Sequence, residues 1–225
     1  TMKKFALNNS YFKNRYGEMP DTILEIARYQ QIHGDLPFRY TGSNWVYDAF
    51  CERQKRKGVY ASQYLTPDAT VDRMLHFAGK YFNDLYVLEP CCGTGQITKG
   101  LVEANYSVMA FDIDAEMVEL CNLLFPYIQV FRSDFRDFTR RPYNQIIANP
   151  PYEGPELTDF LQWILSVQTD SGVSILLLPA GFIDKTRPKA LVAVLQQFYL
   201  LEREPMRESF ERTNARAEIV VLKKR

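Results

Sequence analysis

The tetrapeptide Asn149-Pro150-Pro151-Tyr152 ends an apolar run, Ile146-Ile147-Ala148, and its residue types suit the capture of a flat amino group. Consecutive prolines donate no backbone hydrogen bond and fix φ at two positions, so the Asn149 amide and the neighbouring carbonyls keep a narrow range of directions. Two acceptors, Asn149 Oδ1 and the Pro150 carbonyl, can then converge on one NH2. Tyr152 follows where its ring can lie against a planar substrate such as a base or an amide. Paired prolines alone are ordinary turn chemistry, so the specificity of the signal comes from what precedes them.

Upstream, Tyr86-Val87-Leu88-Glu89-Pro90 reads as a short buried strand and Cys91-Cys92-Gly93-Thr94-Gly95 as a glycine loop, with an amphipathic helix from Gln96 to Ala104. Gly93 and Gly95 allow the backbone close to a ligand, and the helix start behind them offers N–H groups to a carboxylate or phosphate. Two glycines are a weak fingerprint, and no Gly-Lys-Ser or Gly-Lys-Thr follows to make a phosphate loop. The next strand, Ser107 to Phe111, ends in Asp112, near the offset at which an acidic residue meets ribose hydroxyls. A third, Ile128 to Arg132, ends in Ser133-Asp134-Phe135. Three strand ends therefore carry Glu89, Asp112 and Asp134, and in an open parallel sheet such ends share one crevice. Asp114 and Asp137 read as helix caps or solvent residues.

As an ordered set, Leu88-Glu89-Pro90-Cys91-Cys92-Gly93-Thr94-Gly95, Asp112, Asp134 and Asn149-Pro150-Pro151-Tyr152 resembles the S-adenosylmethionine-dependent amino-methyltransferases, above all the N6-adenine DNA methyltransferases. The likeness extends to Tyr64-Leu65-Thr66-Pro67, which is similar to that family's extra cofactor motif. It reaches Ser209-Phe210-Glu211-Arg212-Thr213 before Ala217 to Leu222, similar to its late hairpin. It covers about Val59 to Lys224. Thr66 also reads as an N-cap with Pro67 at the first helical position, facing the methionine carboxylate. The resemblance implies S-adenosyl-L-methionine as cofactor, with Tyr64, Thr66 and the glycine loop beside its methionyl part. It puts Asp112 on the ribose hydroxyls, Ile113 on the adenine ring, Asp134 on the adenine amino group with Phe135 alongside, and Glu89 on the loop or the methionine amine. Asn149, Pro150 and Tyr152 become the catalytic set, with Pro151 and Phe210 on the substrate.

The implied fold is α/β: a Rossmann-like seven-stranded methyltransferase sheet, mostly parallel with a C-terminal antiparallel hairpin, plus a small N-terminal helical segment. Residues 59–225 form the methyltransferase domain and residues 1–58 a helical extension that contacts substrate. The order of elements agrees. Pro155 to Val167 has Leu157, Phe160, Leu161, Ile164 and Leu165 at helical spacing, Gly172 to Pro179 is an apolar strand, and Arg187 to Phe198 a helix. Tyr199 to Glu202 and Ala217 to Leu222 are the last strands. No repeat or low-complexity segment interrupts them.

Composition sets bounds. A chain of 225 residues at 46% hydrophobic and 24% charged can bury an α/β core. No run has the apolar length of a membrane span and no long apolar leader precedes the domain, so a cytoplasmic protein is expected. Four cysteines, two adjacent, make no secreted disulfide framework, and no Cys/His spacing suits zinc, so no metal is expected. The net charge of zero hides a gradient: ten Lys/Arg against six Asp/Glu in residues 1–66, seven against fifteen in 67–180, ten against six in 181–225. Basic flanks around an acidic middle suit a phosphate backbone. The run Arg53, Lys55, Arg56, Lys57 by itself reads as a solvated helix end.

DNA is therefore the expected substrate, within a restriction-modification or regulatory setting. RNA adenine, a protein glutamine or a noncatalytic binding subunit remain open, because the same tetrapeptide grips any planar amino group. Neither the interval from Gly95 to Asn149 nor the tail after Tyr152 has room for a separate recognition part, which leaves residues 1–58 for that task, and a partner supplying specificity is also open.

Overall fold

Strand side chains alternate between two buried faces, and that alternation sets the architecture. The computed structural model describes residues 23–37, 39–42, 44–50, 65–139, 142–152, 155–184, 189–206 and 216–225. Its strands are β1 (Tyr86–Pro90), β2 (Ser107–Asp112), β3 (Gln129–Arg132), β4 (Tyr143–Ala148), β5 (Gln168–Pro179), β6 (Phe198–Pro205) and β7 (Ala217–Lys224). They form one seven-stranded sheet in the order β3-β2-β1-β4-β5-β7-β6. Strands β3 through β5 run parallel, and β7 is antiparallel to both β5 and β6. This is the Rossmann-like, mostly parallel sheet with a terminal antiparallel hairpin that the sequence predicts.

The helices are α1 (Ile23–His33), α2 (Asp68–Tyr81), α3 (Gln96–Glu103), α4 (Ala115–Leu124), α5 (Pro155–Val167) and α6 (Lys189–Leu195), with a further helical stretch at 45–50. On one face of the sheet Leu88, Ile146, Leu176 and Val220 pack with Leu157, Phe160, Leu161 and Ile164 of α5. On the other, Val87, Ile147, Ile175 and Val221 meet Val71, Met74 and Phe77 of α2 and Ile97 and Leu101 of α3. A third cluster joins Ile23, Ile26, Trp45, Val46 and Phe50 to Met117 and Leu120, so the described N-terminal helices lie on α4. Trp45 and Phe50 are core residues there. None of the described helices is long and apolar enough to cross a membrane.

The chain leaves β1 toward β2 and β3, then returns to β4 on the other side of β1. The loops after β1 and β4 thus diverge and open a crevice at the carboxyl edge, which is where α/β sheets bind ligands. At the other end of these strands, Gln145 ties the start of β1 to β4. It is buried, its Oε1 accepts from the N–H groups of Asn83 (2.6 Å) and Asp84 (2.8 Å), and its Nε2 donates to the carbonyls of Asp84 and Tyr86.

Several boundaries differ from expectation: β6 runs on to Pro205 and β7 to Lys224, and three other differences have a local cause. The helix expected from Arg187 to Phe198 is described only as Lys189–Leu195, because Phe198 pairs with Lys224 and starts β6 as a buried strand residue. Strand β5 starts at Gln168 rather than Gly172; its first residues pass a register shift, with Ser171 at φ 63, before Val173 pairs with Gln145. Thr66 does not cap α2. Pro67 holds the cap position, and its carbonyl accepts from Thr70 and Val71, because the hydroxyl of Thr66 is taken up by a tertiary contact.

Candidate functional site

The crevice holds a cleft of about 270 Å³. The loop after β1 enters it through a left-handed path, with φ of 58 at Cys91, 53 at Gly93 and 80 at Gly95. Cys92 N–H donates to the Phe111 carbonyl and Gly95 N–H to that of Cys92, which ties the loop to β2 and to itself. The two glycines serve different ends. A Cβ at Gly93 would meet nothing within 4 Å, and Gly93 lines the cleft, so its bare face is open to the cleft. A Cβ at Gly95 would stand 2.7 Å from the Phe125 ring and 3.1 Å from Cys121 Sγ; Gly95 is absent from the lining and admits α4 instead.

The three strand-end acids come together on this cleft. Glu89 is buried beneath the loop, where Oε2 accepts the Thr98 hydroxyl at 2.6 Å, and burial pushes its carboxyl up to about 8. Asp112 Oδ2 accepts Gly93 N–H at 2.8 Å and Oδ1 accepts Asp114 N–H at 2.9 Å, and burial raises its carboxyl as well. A carboxylate has about four acceptor sites, so both oxygens keep capacity for hydroxyls. Asp134 caps the short turn Phe135–Asp137 through Arg136 N–H and pairs with the Arg136 guanidinium at 3.2 Å. That guanidinium also lies 4.5 Å from the Phe135 ring centroid, over the edge of the cleft. Asp114 caps α4 as read, and Asp137 is exposed. The Cys91 thiol is raised well above its ordinary value by burial and by the surrounding acids, so it stays neutral.

Asn149 and Thr66 meet across the crevice. Asn149 Nδ2 donates to Thr66 Oγ1 at 3.1 Å, and Thr66 is 4% exposed. Fixing Nδ2 fixes Oδ1, because the two diverge from one planar carbon. The amide just after β4 is thereby set by a residue just before α2.

Thr66, Glu89, Gly93, Asp112, Ile113, Asp134, Phe135, Asn149, Pro150 and Pro151 all line the cleft. Tyr152 is half-buried beyond it, packed against the cluster that contains Ala217 and Ile219 of β7. Tyr64 and Phe210 lie outside the described residues, as do Arg53 to Lys57 and Ser209 to Thr213. Leu65 of the same motif as Thr66 lines the cleft too, as do Gln96, Met117, Arg136 and Glu156, to which the sequence assigns no role. Gln96 carries a signal in hindsight: a long polar residue opening a helix whose neighbours Ile97 and Leu101 face the core.

These features fit S-adenosylmethionine. Its two cationic groups suit a cleft walled by Glu89, Asp112 and Asp134, and its adenine suits Ile113, an apolar side chain 62% exposed on the cleft wall. The open side of Gly93 and a buried amide on Gln96 offer room and a donor at the opposite end.

Comparison with known proteins gives the same answer. Residues 87–172 match the family model described as "Methyltransferase domain". A curated relative, modification methylase CviBIII of Paramecium bursaria Chlorella virus NC1A, is 25% identical over 107 residues, 45% of this chain. The match spans about a quarter (27%) of that viral protein's length. Among solved structures, a class I S-adenosylmethionine-dependent methyltransferase described as putative, from Listeria monocytogenes, has a TM-score of 0.65 at 15% identity, covering 80% of this chain and 67% of its own. Magnesium protoporphyrin IX methyltransferase from Synechocystis, solved with its cofactor bound, has a TM-score of 0.57 at 18% identity, covering 98% and 99%. The sheet is thus a Rossmann-like methyltransferase fold, with S-adenosylmethionine as its cofactor.

Proposed function

We propose that this chain transfers a methyl group from S-adenosylmethionine to the exocyclic N6 amino group of adenine in DNA. The observation that carries this reading is the Asn149 amide, oriented by Thr66 and followed by two prolines at the mouth of the cofactor cleft. The match to a viral modification methylase supports it. The bound cofactor supplies a methyl group on a positively charged sulfur.

The residues do the rest by position. An exocyclic amino nitrogen is a weak nucleophile because its lone pair is spread into the ring. Asn149 Oδ1 and the Pro150 carbonyl accept its two N–H bonds and localise that lone pair toward the cleft. Tyr152, and Phe210 beyond the described residues, would hold the faces of the base, worth roughly 1–3 kcal/mol per stacked base. A duplex target must be swung out at a cost of a few kcal/mol. No side-chain base is needed before the bond forms; His76, on the outer face of α2, is exposed. Asp112 would take the ribose hydroxyls, Asp134 the adenine amino group, and Glu89 the methionine amine. Residues 1–58 would contact DNA, with their described helices anchored on α4.

Transfer of tritiated methyl to purified DNA, RNA and protein, followed by digestion, tests the assignment. N6-methyladenine in the DNA digest is expected. Label only in RNA or protein would move the substrate, and label on a carbon or oxygen atom would remove the proposal.

A further inference from the structure

Gln96 is the first residue of α3 and is only 6% exposed, although it lines the cleft. Its Oε1 accepts the Thr94 hydroxyl at 2.7 Å, which turns Nε2 the other way. Nε2 is buried and has no hydrogen-bond partner among the described residues. Buried amide donors nearly always have partners, and an exception in a ligand cleft points to a group that the ligand brings.

The chemistry of the lining narrows that group. Four acidic side chains line the cleft, Glu89, Asp112, Asp134 and Glu156, and the Arg136 guanidinium is held by Asp134 and Asp159. The Thr98 hydroxyl is spent on Glu89 and the Thr94 hydroxyl on Gln96 itself. The lining is rich in acceptors for a cation and short of donors for an anion. S-adenosylmethionine presents a sulfonium and an ammonium, which the acids suit, and one carboxylate, which they do not. We propose that Gln96 Nε2 donates to the amino-acid carboxylate of S-adenosylmethionine and so discriminates the cofactor from adenosyl compounds lacking that group. Thr94 is then a positioning residue, because its hydroxyl fixes which edge of the amide faces the cleft. The neighbouring α2, packed so closely that a Cβ on Gly100 would touch Val71 and Leu75, keeps α3 from shifting to spare the donor.

The proposal rests on the cofactor reading and is tested apart from turnover, by calorimetric titration with S-adenosylmethionine, its decarboxylated form and 5′-methylthioadenosine. Gln96→Met keeps much of the volume and removes the donor; Gln96→Glu replaces the donor with an acceptor. Thermal unfolding of each variant shows that it is folded. Gln96→Met is expected to bind S-adenosylmethionine about 10-fold more weakly, with the other two ligands within twofold of wild type. Gln96→Glu should lose more than Gln96→Met, again only for the ligand with a carboxylate. Equal weakening of all three ligands would make Gln96 a structural residue and overturn the proposal. So would tight binding by Gln96→Glu, which would assign the amide oxygen to the ammonium. A folded wild-type protein that binds none of the three would overturn the cofactor reading itself.

Discussion

Replacing Thr66 by valine keeps the shape of a buried side chain and deletes the acceptor of Asn149 Nδ2. A neutral hydrogen bond of this kind contributes about 0.5–1.5 kcal/mol net, and stranding a buried donor costs about 1–3 kcal/mol. At about 1.4 kcal/mol per factor of ten, and with this restraint on the direction of the amide removed, kcat should fall by about 10- to 100-fold. Thr66→Ser, which restores the oxygen, should recover most of it. Single-turnover methyl transfer at saturating cofactor isolates this step from cofactor affinity. Thr66→Val turning over at the wild-type rate would refute the claim that Thr66 sets the amide. A loss seen only as weaker cofactor binding would assign Thr66 to the methionyl end alone.

Three further predictions concern the cleft and its glycine loop. Glu89 carries a proton up to about pH 8 because it is buried, and the arriving cationic cofactor favours the ionised form, so binding near neutral pH should release a proton and tighten as pH rises toward 8. Calorimetry in buffers of different ionisation enthalpy reads that release, and Glu89→Gln should abolish it. The same raised carboxyl makes stability fall as pH climbs from the ordinary carboxylate range to about 8, since the unfolded chain ionises first; Glu89→Gln should flatten this window in denaturant titrations. The glycine pair should separate by assay: Gly95→Ala forces a methyl against Phe125 and should lower Tm by several degrees, about 1–3 kcal/mol of overpacking. Gly93→Ala meets no protein atom and should cost mainly cofactor affinity, with only the modest strain of its left-handed φ on stability.

What the sequence revealed depended on how local its cause was. Strand β1 was read to the residue because its apolar run is bounded by a glycine loop, and the antiparallel hairpin followed from two short apolar runs at the end of the chain. The gathering of Glu89, Asp112 and Asp134 was legible because parallel strand ends share one edge. Nonlocal contacts were not. Thr66 has the type and setting of a cap, yet its hydroxyl is claimed by Asn149, 83 positions away. Phe198 continues a helical pattern, but pairing with Lys224 makes it a strand residue. The separate duties of Gly93 and Gly95 depend on where Phe125 packs, and the orphan amide of Gln96 exists only because α3 is buried beside the loop. Seating of the N-terminal helices on Met117 and Leu120 had no sequence signal.

The amide grip on a planar amino nitrogen is tested most directly by Asn149→Ala, with cofactor affinity and methyl transfer to adenine-containing DNA measured on the same preparation. Cofactor binding within a few-fold of wild type, together with loss of about 10²-fold or more in transfer, is the predicted result. Undiminished formation of N6-methyladenine by Asn149→Ala would contradict it.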